Sequence, residues 1–404
     1  MKNDSIKKRI YFDWASSAPL LKLSESSFFG NPSSNHSEGR AAKNSLEDAR
    51  KRAAASLNVP PETLFFTSGG TESNSIALFS NLRKPQTSGA WKGRVISSPA
   101  EHASIREAMD TLNKIGMPIG SVPVDGTGRV TADLLSKTLN QYSDVRFAAI
   151  MSVNNETGAV TDINSLVLVF RSQKAPVHFH CDIVQAVGKI PVDITSWDVD
   201  SASISAHKIG GPRGIGLLYL KKPIDVFYSG GGQERGVRGG TENTQGAAAL
   251  ADCLAGMNNE QCGMRNEELG IRNVECGIRN VREEFLKAKA RMNKLITGLM
   301  AFNRCTLIPR ERVVDDDRFS PYILQVAFND IPGEVMARAL DDLGFAVSTG
   351  SACSSSSPER PVLFAMGVEE KLRIEGIRIS QGFKTTDEDI DALLDGIAEV
   401  LKFL

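Results

Sequence analysis

Two polar side chains stand where apolar runs end: Lys208, in Ser205-Ala206-His207-Lys208 ahead of Gly210-Gly211-Pro212, and Asp182, in His180-Cys181-Asp182. Residues 199–204 alternate apolar and small side chains and predict a buried strand, so Lys208 comes at a strand end. A lysine desolvated in such a place has a lowered pKa and can form a Schiff base with an aldehyde. Residues 177–181 predict a second strand that delivers Asp182. A carboxylate there can keep a pyridine ring nitrogen protonated, the partner pyridoxal phosphate needs to act as an electron sink. Taken singly, a solvated lysine and a helix-capping aspartate are the commoner readings. The pair in this setting is not explained that way.

Other segments supply matching chemistry. Leu64-Phe65-Phe66 predicts a strand that runs into Thr67-Ser68-Gly69-Gly70-Thr71-Glu72. A strand, a glycine turn and a hydroxyl residue opening a helix make an anion site from free N–H groups and the helix dipole. The GxxxxGK[ST] pattern of a P-loop is absent. His102 follows the strand predicted over 94–98, where a histidine points into a ligand crevice and can lie over a planar ring and take up protons. Asn154 and Asn155 end the strand predicted over 147–153 and offer amide donors to a carboxylate or a phenolic oxygen. Gln185 lies one helical turn beyond Asp182 and can face the same ligand. Arg378, in Ile377-Arg378-Ile379-Ser380, is either an inward carboxylate clamp or an edge-strand surface residue. Cys353 sits in the Gly/Ser run 348–358, an exposed mobile loop unsuited to a structural thiol. His36 either lines a site or simply precedes the helix predicted over 37–57.

The elements that must position these groups are those of a soluble globular chain. Of 404 residues, 41% are hydrophobic and 24% charged, enough to bury a sizeable core. Lys+Arg 47 against Asp+Glu 48 gives a net charge of -1, so no nucleic-acid or membrane partner is expected from bulk charge. The 6 cysteines form no CxxC pair and fit no zinc site or disulfide framework; without a signal peptide, the cytoplasm is the expected home. Strands alternating with helices predict an α/β fold with a mainly parallel sheet covered on both faces, followed after Ser320 by a smaller α+β unit. Residues 230–244 (glycine-rich and charged) read as too polar for core, hence a loop shaped around a ligand or a subunit contact. GMRNEEL, GIRNVEC and GIRNVRE repeat with a seven-residue period from Gly263, which predicts a helical extension although each glycine costs about 1 kcal/mol against alanine.

These motifs together resemble a known family. FTSGGTES, the histidine of PAEH, VNNETG, HCDIVQAVGK, SAHKIGGPRGIG, GGGQERGVRGGTEN, STGSACSS and IRIS follow the order found in cysteine desulfurases, pyridoxal-phosphate enzymes of fold type I in the class V aminotransferase group. The likeness runs from about Tyr11 to the C-terminus, and the cysteine loop resembles the long-loop housekeeping branch. It implies a large cofactor-binding domain over 13–255 and a small domain from 1–12 and 256–404, the latter including an interdomain helix with the heptad insert at about 257–283. Lys208 would hold the cofactor, Asp182 would pair with its ring nitrogen and Gln185 with its ring hydroxyl, and His102 would stack on the ring. Gly70, Thr71, Ser205 and His207 would bind the phosphate, with Thr241 reaching it from the partner subunit of a homodimer. Asn155, counted also among the cofactor's contacts, and Arg378 would hold the substrate carboxylate. Cys353 would accept sulfur from L-cysteine as a persulfide, leaving L-alanine. The sulfur would go to an acceptor or iron–sulfur scaffold protein, for cluster assembly or tRNA thiolation. A selenocysteine lyase, a small-amino-acid aminotransferase and a non-catalytic scaffold are the alternatives. Gly70 stands where the family commonly has alanine.

Overall fold

The computed structural model describes residues 9–21, 30–83, 93–258, 279–350 and 360–404. The chain opens with β1 (Ile10–Tyr11), α1 (Ser37–Ser56), β2 (Leu64–Thr67), α2 (Gly70–Phe79), β3 (Arg94–Ser97), α3 (Ala103–Lys114), β4 (Ile119–Ser121) and α4 (Ala132–Gln141). It continues with β5 (Val145–Met151), α5 (Ile163–Arg171), β6 (His178–Asp182), α6 (Ile194–Trp197), β7 (Ser201–Ser205), β8 (Gly216–Leu220) and α7 (Thr244–Ala255). Then come β9 (Met257–Asn258), β10 (Arg279–Asn280), α8 (Val281–Met300), β11 (Cys305–Ile308), β12 (Ile323–Phe328) and α9 (Gly333–Asp342). The last elements are β13 (Phe345–Ala346), α10 (Pro361–Ala365), α11 (Glu370–Glu375), β14 (Gly376–Ser380) and α12 (Asp387–Phe403).

Seven strands form the main sheet in the order β2-β8-β7-β6-β5-β3-β4. β7, β6, β5, β3 and β4 run parallel, and β8 is antiparallel to both of its neighbours. The parallel strands read as nearly continuous apolar runs because both faces are covered. β5 shows it residue by residue. Phe147 and Ala149 pack on one face with Ile105 and Leu112 of α3, while Ala148 and Ile150 join the opposite core with Leu166 and Phe170 of α5. A second, antiparallel sheet, β11-β12-β14, has its own core: Leu324 and Val326 meet Leu295 of α8, Met336 of α9 and Leu393 of α12. β1 pairs with β13, which brings residues 13–17 beside the end of β14 through the Asp13↔Ser380 bridge.

α1 follows from its sequence. His36 caps it by accepting the Gly39 N–H, so this histidine serves the helix, and Ala42, Leu46, Ala49 and Ala53 recur at helical spacing on the buried face. The glycine-rich loop departs from expectation. Within the stretch read as too polar for core, Glu234 is buried because Arg50 meets it with both guanidinium arms, Nη1 to Oε2 at 2.7 Å and Nη2 to Oε1 at 2.8 Å. Glu234 also accepts the Phe66 N–H at 2.7 Å, and Arg50 donates to Leu64 O at 2.9 Å. One charge pair thus ties α1, β2 and the loop together. Of the heptad repeat over 263–283, residues 263–278 lie outside the described residues; its last five residues, 279–283, form β10, paired in parallel with β9, and open α8 at Val281. No helix among the described residues is long and apolar enough to cross a membrane.

Breaking a buried, doubly bonded ion pair strands the remaining charge. Glu234→Ala is expected to lower stability by about 3 kcal/mol in urea unfolding, and the double variant Arg50→Met/Glu234→Leu by clearly less.

Candidate active site

Several strands of the main sheet end at one cleft. A cavity of about 310 Å³ lies beyond Met151 of β5, Asp182 of β6 and Ser205 of β7, and Lys208, His207, Gln185, His102, Asn155, Arg378, Gly70 and Thr71 line the same space. The start of α2 faces it, and Gly69, its N-cap, supplies no side-chain capping bond, so the first-turn N–H groups are left for a ligand. Gly69 has φ +152°, a conformation that L side chains rarely adopt. At Gly70 an added Cβ would come within 2.8 Å of Val184 Cγ2, so glycine is the residue that fits beside this valine. That accounts for the departure from the family's usual alanine.

Asp182 is held by a network that fixes its own proton positions. Its Oδ2 accepts the Asn74 amide at 2.9 Å and its Oδ1 the Val184 N–H at 3.0 Å. The Asn74 Nδ2 also donates to Ser104 Oγ at 2.9 Å, so its Oδ1 must face His180 Nε2, 2.9 Å away, which therefore carries hydrogen. His180 Nδ1 is then an acceptor for the Ser201 hydroxyl at 2.8 Å. Burial pushes the His180 imidazolium down to about 3, and nearby His178 adds to the effect. His102 caps α3. Its Nδ1 accepts the Ser104 N–H at 3.2 Å and lies 2.9 Å from the Ser104 hydroxyl, which leaves the hydrogen of the neutral ring on Nε2. Burial lowers the His102 pKa, Lys208 and Arg106 lower it further, and Asp182 opposes them. Next to it, Glu101 is fully buried and burial raises its pKa well above the usual carboxylate range.

Cations dominate the other wall. Lys208 Nζ donates to Ala15 O and Ser16 O, both at 2.7 Å. His207 is pushed down to about 4 by burial and then by Lys208. Residues 184–189 form consecutive turns rather than the helix expected there, yet the same spacing sets Gln185 beside Asp182 at the cleft. Arg378 is 1% exposed, which excludes the edge-strand surface alternative. Its Nη2 pairs with Asp13 at 2.8 Å and Ser16 Oγ at 2.5 Å, and its Nη1 donates to Asn155 O at 2.8 Å. Arg378 Nε and Asn155 Oδ1 are buried without a partner among the described residues.

The cleft thus gathers the candidate residues except four: His36 caps α1, and Asn154 spends its amide on Ala100 O and on the Glu156 and Thr157 N–H groups. Thr241 is exposed and does not line this chain's own cavity, and Cys353 lies outside the described residues. Asn74, Ser104, His180 and Asp13 are the residues that sequence reasoning passed over. Asn74 stood inside a recognised motif, but its partner Asp182 is 108 positions away, and nothing local announces the pairing. A larger cavity, about 620 Å³, lies between α8 and residues 312–321, where Arg318 pairs with Asp316 and Lys289 with Asp317. It contains neither a strand-end lysine nor a thiol. No group of His, Cys, Asp and Glu suited to a metal ion occurs among the described residues.

The profile of the aminotransferase class-V family matches residues 20–393. The chain is 34% identical to the cysteine desulfurase IscS of Dictyoglomus turgidum, over 99% of this chain and 96% of that protein. It is 32% identical to the mitochondrial cysteine desulfurase of Saccharomyces cerevisiae, over 98% of this chain and 75% of that protein. Among solved structures, a NifS-like protein superposes with a TM-score of 0.81 at 32% identity, covering 98% of this chain and 100% of that one. SspA in complex with cysteine superposes at 0.73 with 26% identity, covering 92% and 98%. One relative is bacterial and another mitochondrial, so the likeness carries no single compartment with it.

His180 makes the site sensitive to acid. Its folded pKa lies below the unfolded value of about 6.5, so the stability it contributes is complete above that value. That stability is lost as pH falls toward 3, because the unfolded chain takes up a proton that the folded chain refuses. Glu101, shifted the other way, contributes with the opposite sign, and its part cancels when two variants that both retain it are compared. The stability difference between wild type and His180→Asn is expected to move against wild type by about 1.4 kcal/mol per pH unit between pH 6 and pH 4. Urea unfolding at several pH values measures it.

Proposed function

Because the chain belongs to the aminotransferase class-V family and, within it, is a pyridoxal-phosphate-dependent cysteine desulfurase, we propose that it moves the sulfur of L-cysteine to Cys353 and leaves L-alanine. The observation that carries the proposal is the union, in one cleft, of the Lys208 amine, the Asp182 carboxylate, a neutral His102 and the buried Arg378. A solved neighbour with cysteine bound supports the choice of substrate.

The residues present fit the cofactor. The uncapped start of α2, with Gly70 and Thr71, suits a phosphate, and Ser205 and His207 stand beside it. Thr241, exposed on this chain, would complete the phosphate site of a second copy, which makes the working form a homodimer. Asp182 keeps lone-pair capacity beyond its two bonds for a ring N–H. When bound, pyridoxal phosphate supplies a carbon that amines attack and a ring that takes up electrons from the substrate's α-carbon.

The chain's own part is positioning and proton handling. Asn155 and Arg378 line the cleft, and Arg378 takes the substrate's carboxylate. Asp13 holds the far arm of that guanidinium, so the clamp is already aimed. Lys208 Nζ takes the α-proton, and His102 presents Nε2–H to the cleft because Ser104 occupies its Nδ1. In the sulfur step the substrate C–S bond breaks and an S–S bond to Cys353 forms. Cysteine plus thiol becomes alanine plus persulfide, so atoms and electrons balance without an external oxidant or reductant. The described thiols do not compete: Cys253 is fully buried, burial raises the Cys181 pKa, and burial pushes Cys305 up to about 12. The persulfide then passes to an acceptor or iron–sulfur scaffold protein for cluster assembly or tRNA thiolation. A reducing compartment such as the cytoplasm keeps the thiol ready.

Wild type incubated with L-cysteine and a reductant is expected to release alanine and sulfide in equal amounts, and Cys353→Ser to lose both by at least about a hundredfold. A yellow protein that releases no sulfide, or a Cys353→Ser variant as fast as wild type, would overturn the assignment. Asp13→Asn is expected to raise KM for cysteine more than it lowers kcat, by roughly tenfold, since it loosens the arginine rather than the chemistry.

A further inference from the structure

Lys189 is an expensive residue that the proposed reaction leaves without work. It is 8% exposed and forms no ion pair among the described residues. The charges that act on it are Lys208 and Arg378, both cations. Burial, then these two neighbours, push its ammonium down to about 7. Isolated buried ammonium groups are costly, and methionine would fill the same volume without the charge. Its Nζ donates to Gln185 Oε1 at 2.5 Å.

That bond settles which way the Gln185 amide points. At the other end, Gln185 Nε2 donates to Ala15 O at 2.9 Å, the carbonyl that also receives Lys208 Nζ at 2.7 Å. A reversed amide would set its oxygen against the Ala15 carbonyl and its NH2 against the ammonium, losing both bonds. Gln185 also lines the cavity. With the amide so oriented, its Nε2 keeps one N–H for a ligand, and that suits the anionic ring oxygen of the cofactor, whereas a carbonyl would repel it. We propose that Lys189 is a positioning residue of the desulfurase reaction, locking the Gln185 amide so that an N–H always meets the cofactor's ring oxygen. The proposal rests on the reading of Gln185 and of the cofactor given above. Behind Lys208 a cavity of about 20 Å³, bounded also by Lys189, Trp14 and Glu284, is large enough for one water. Glu284 is the carboxylate on that side and is paired with Lys287 at 3.3 Å.

The test is a double-variant cycle on the cofactor-loaded protein with Lys189→Met, Gln185→Leu and the combination. The readouts are the pH midpoint of the bound cofactor's visible absorption band, the cofactor dissociation constant after reconstitution, and thermal unfolding. Lys189→Met is expected to move the midpoint upward by about half a pH unit, as a nearby cation and a fixed donor are lost. It should weaken cofactor binding about fivefold and raise the melting temperature because an unpaired buried charge is gone. Gln185→Leu should do the same to the band, and the double variant should be no worse than Gln185→Leu alone. Additive effects, or a Lys189→Met band that titrates like wild type, would overturn the proposal. So would a melting temperature that falls while the band stays put, the mark of a purely structural lysine. A wild-type chain that takes up no cofactor would instead bring down the underlying reading, and this proposal with it.

Discussion

A carboxylate buried at a strand end must have its lone pairs met, and that requirement organises the site. Asp182 is 5% exposed, and its donors come from Asn74 on α2 and from the turn that follows its own strand. Asn74 can serve only if its oxygen is turned away, which sets the hydrogen of His180, which sets the Ser201 hydroxyl on β7. The same amide touches Ser104, the residue that pins His102. Four elements are thereby held to one proton arrangement by an acceptor that cannot donate. A buried network in which each member has a partner specifies geometry more sharply than apolar packing does.

The second constraint is an excess of positive charge. Lys208, Lys189 and Arg378 lie within electrostatic reach of one another, and Asp13 pairs with Arg378. The depressed pKa values of Lys189 and His207 have the same origin, burial followed by cationic neighbours. Such an excess is costly in the free chain and is relieved by an anionic ligand. A phosphate at the start of α2 and a carboxylate at Arg378 would each gain from charge that the fold has already concentrated. Affinity for anions and reluctance to protonate histidine are two faces of one electrostatic arrangement.

Much of this was legible in the sequence because the informative groups are anomalies of local pattern. A carboxylate or a lysine at the end of an apolar run is visible to simple periodicity, and Asp182 and Lys208 stood out that way. A continuous apolar run located β5, alternation of apolar and small residues located β7, and helical spacing located α1 with its buried alanine face. Three kinds of feature were hidden. Glu234 belongs to a polar, glycine-rich stretch, and distant partners, Arg50 184 positions away and the Phe66 N–H, make its burial tolerable. Arg378 is the same residue type in a clamp as on a sheet edge; tertiary packing alone decides between them. Asn74 reads as one more polar residue of a helix start until the sheet brings Asp182 to it.

The placement of thiols follows from the same alternation that serves the carboxylate. β6 sends His180 and Asp182 toward α2, so Cys181 between them must point to the opposite face, where it joins the core with Phe179 and Ile183. Its proximity to the cleft in sequence is therefore no proximity in chemistry. Burial in apolar surroundings, with Asp182 and Glu101 nearby, favours the neutral thiol. A sulfur acceptor has the opposite needs: a thiolate and a route to solvent. No strand of a doubly covered sheet can provide both. In the proposed reaction that part falls to Cys353, in the Ser/Gly-rich stretch 351–357 of the sequence. The sheet therefore positions the groups of the cleft, while its own cysteine stays out of their chemistry.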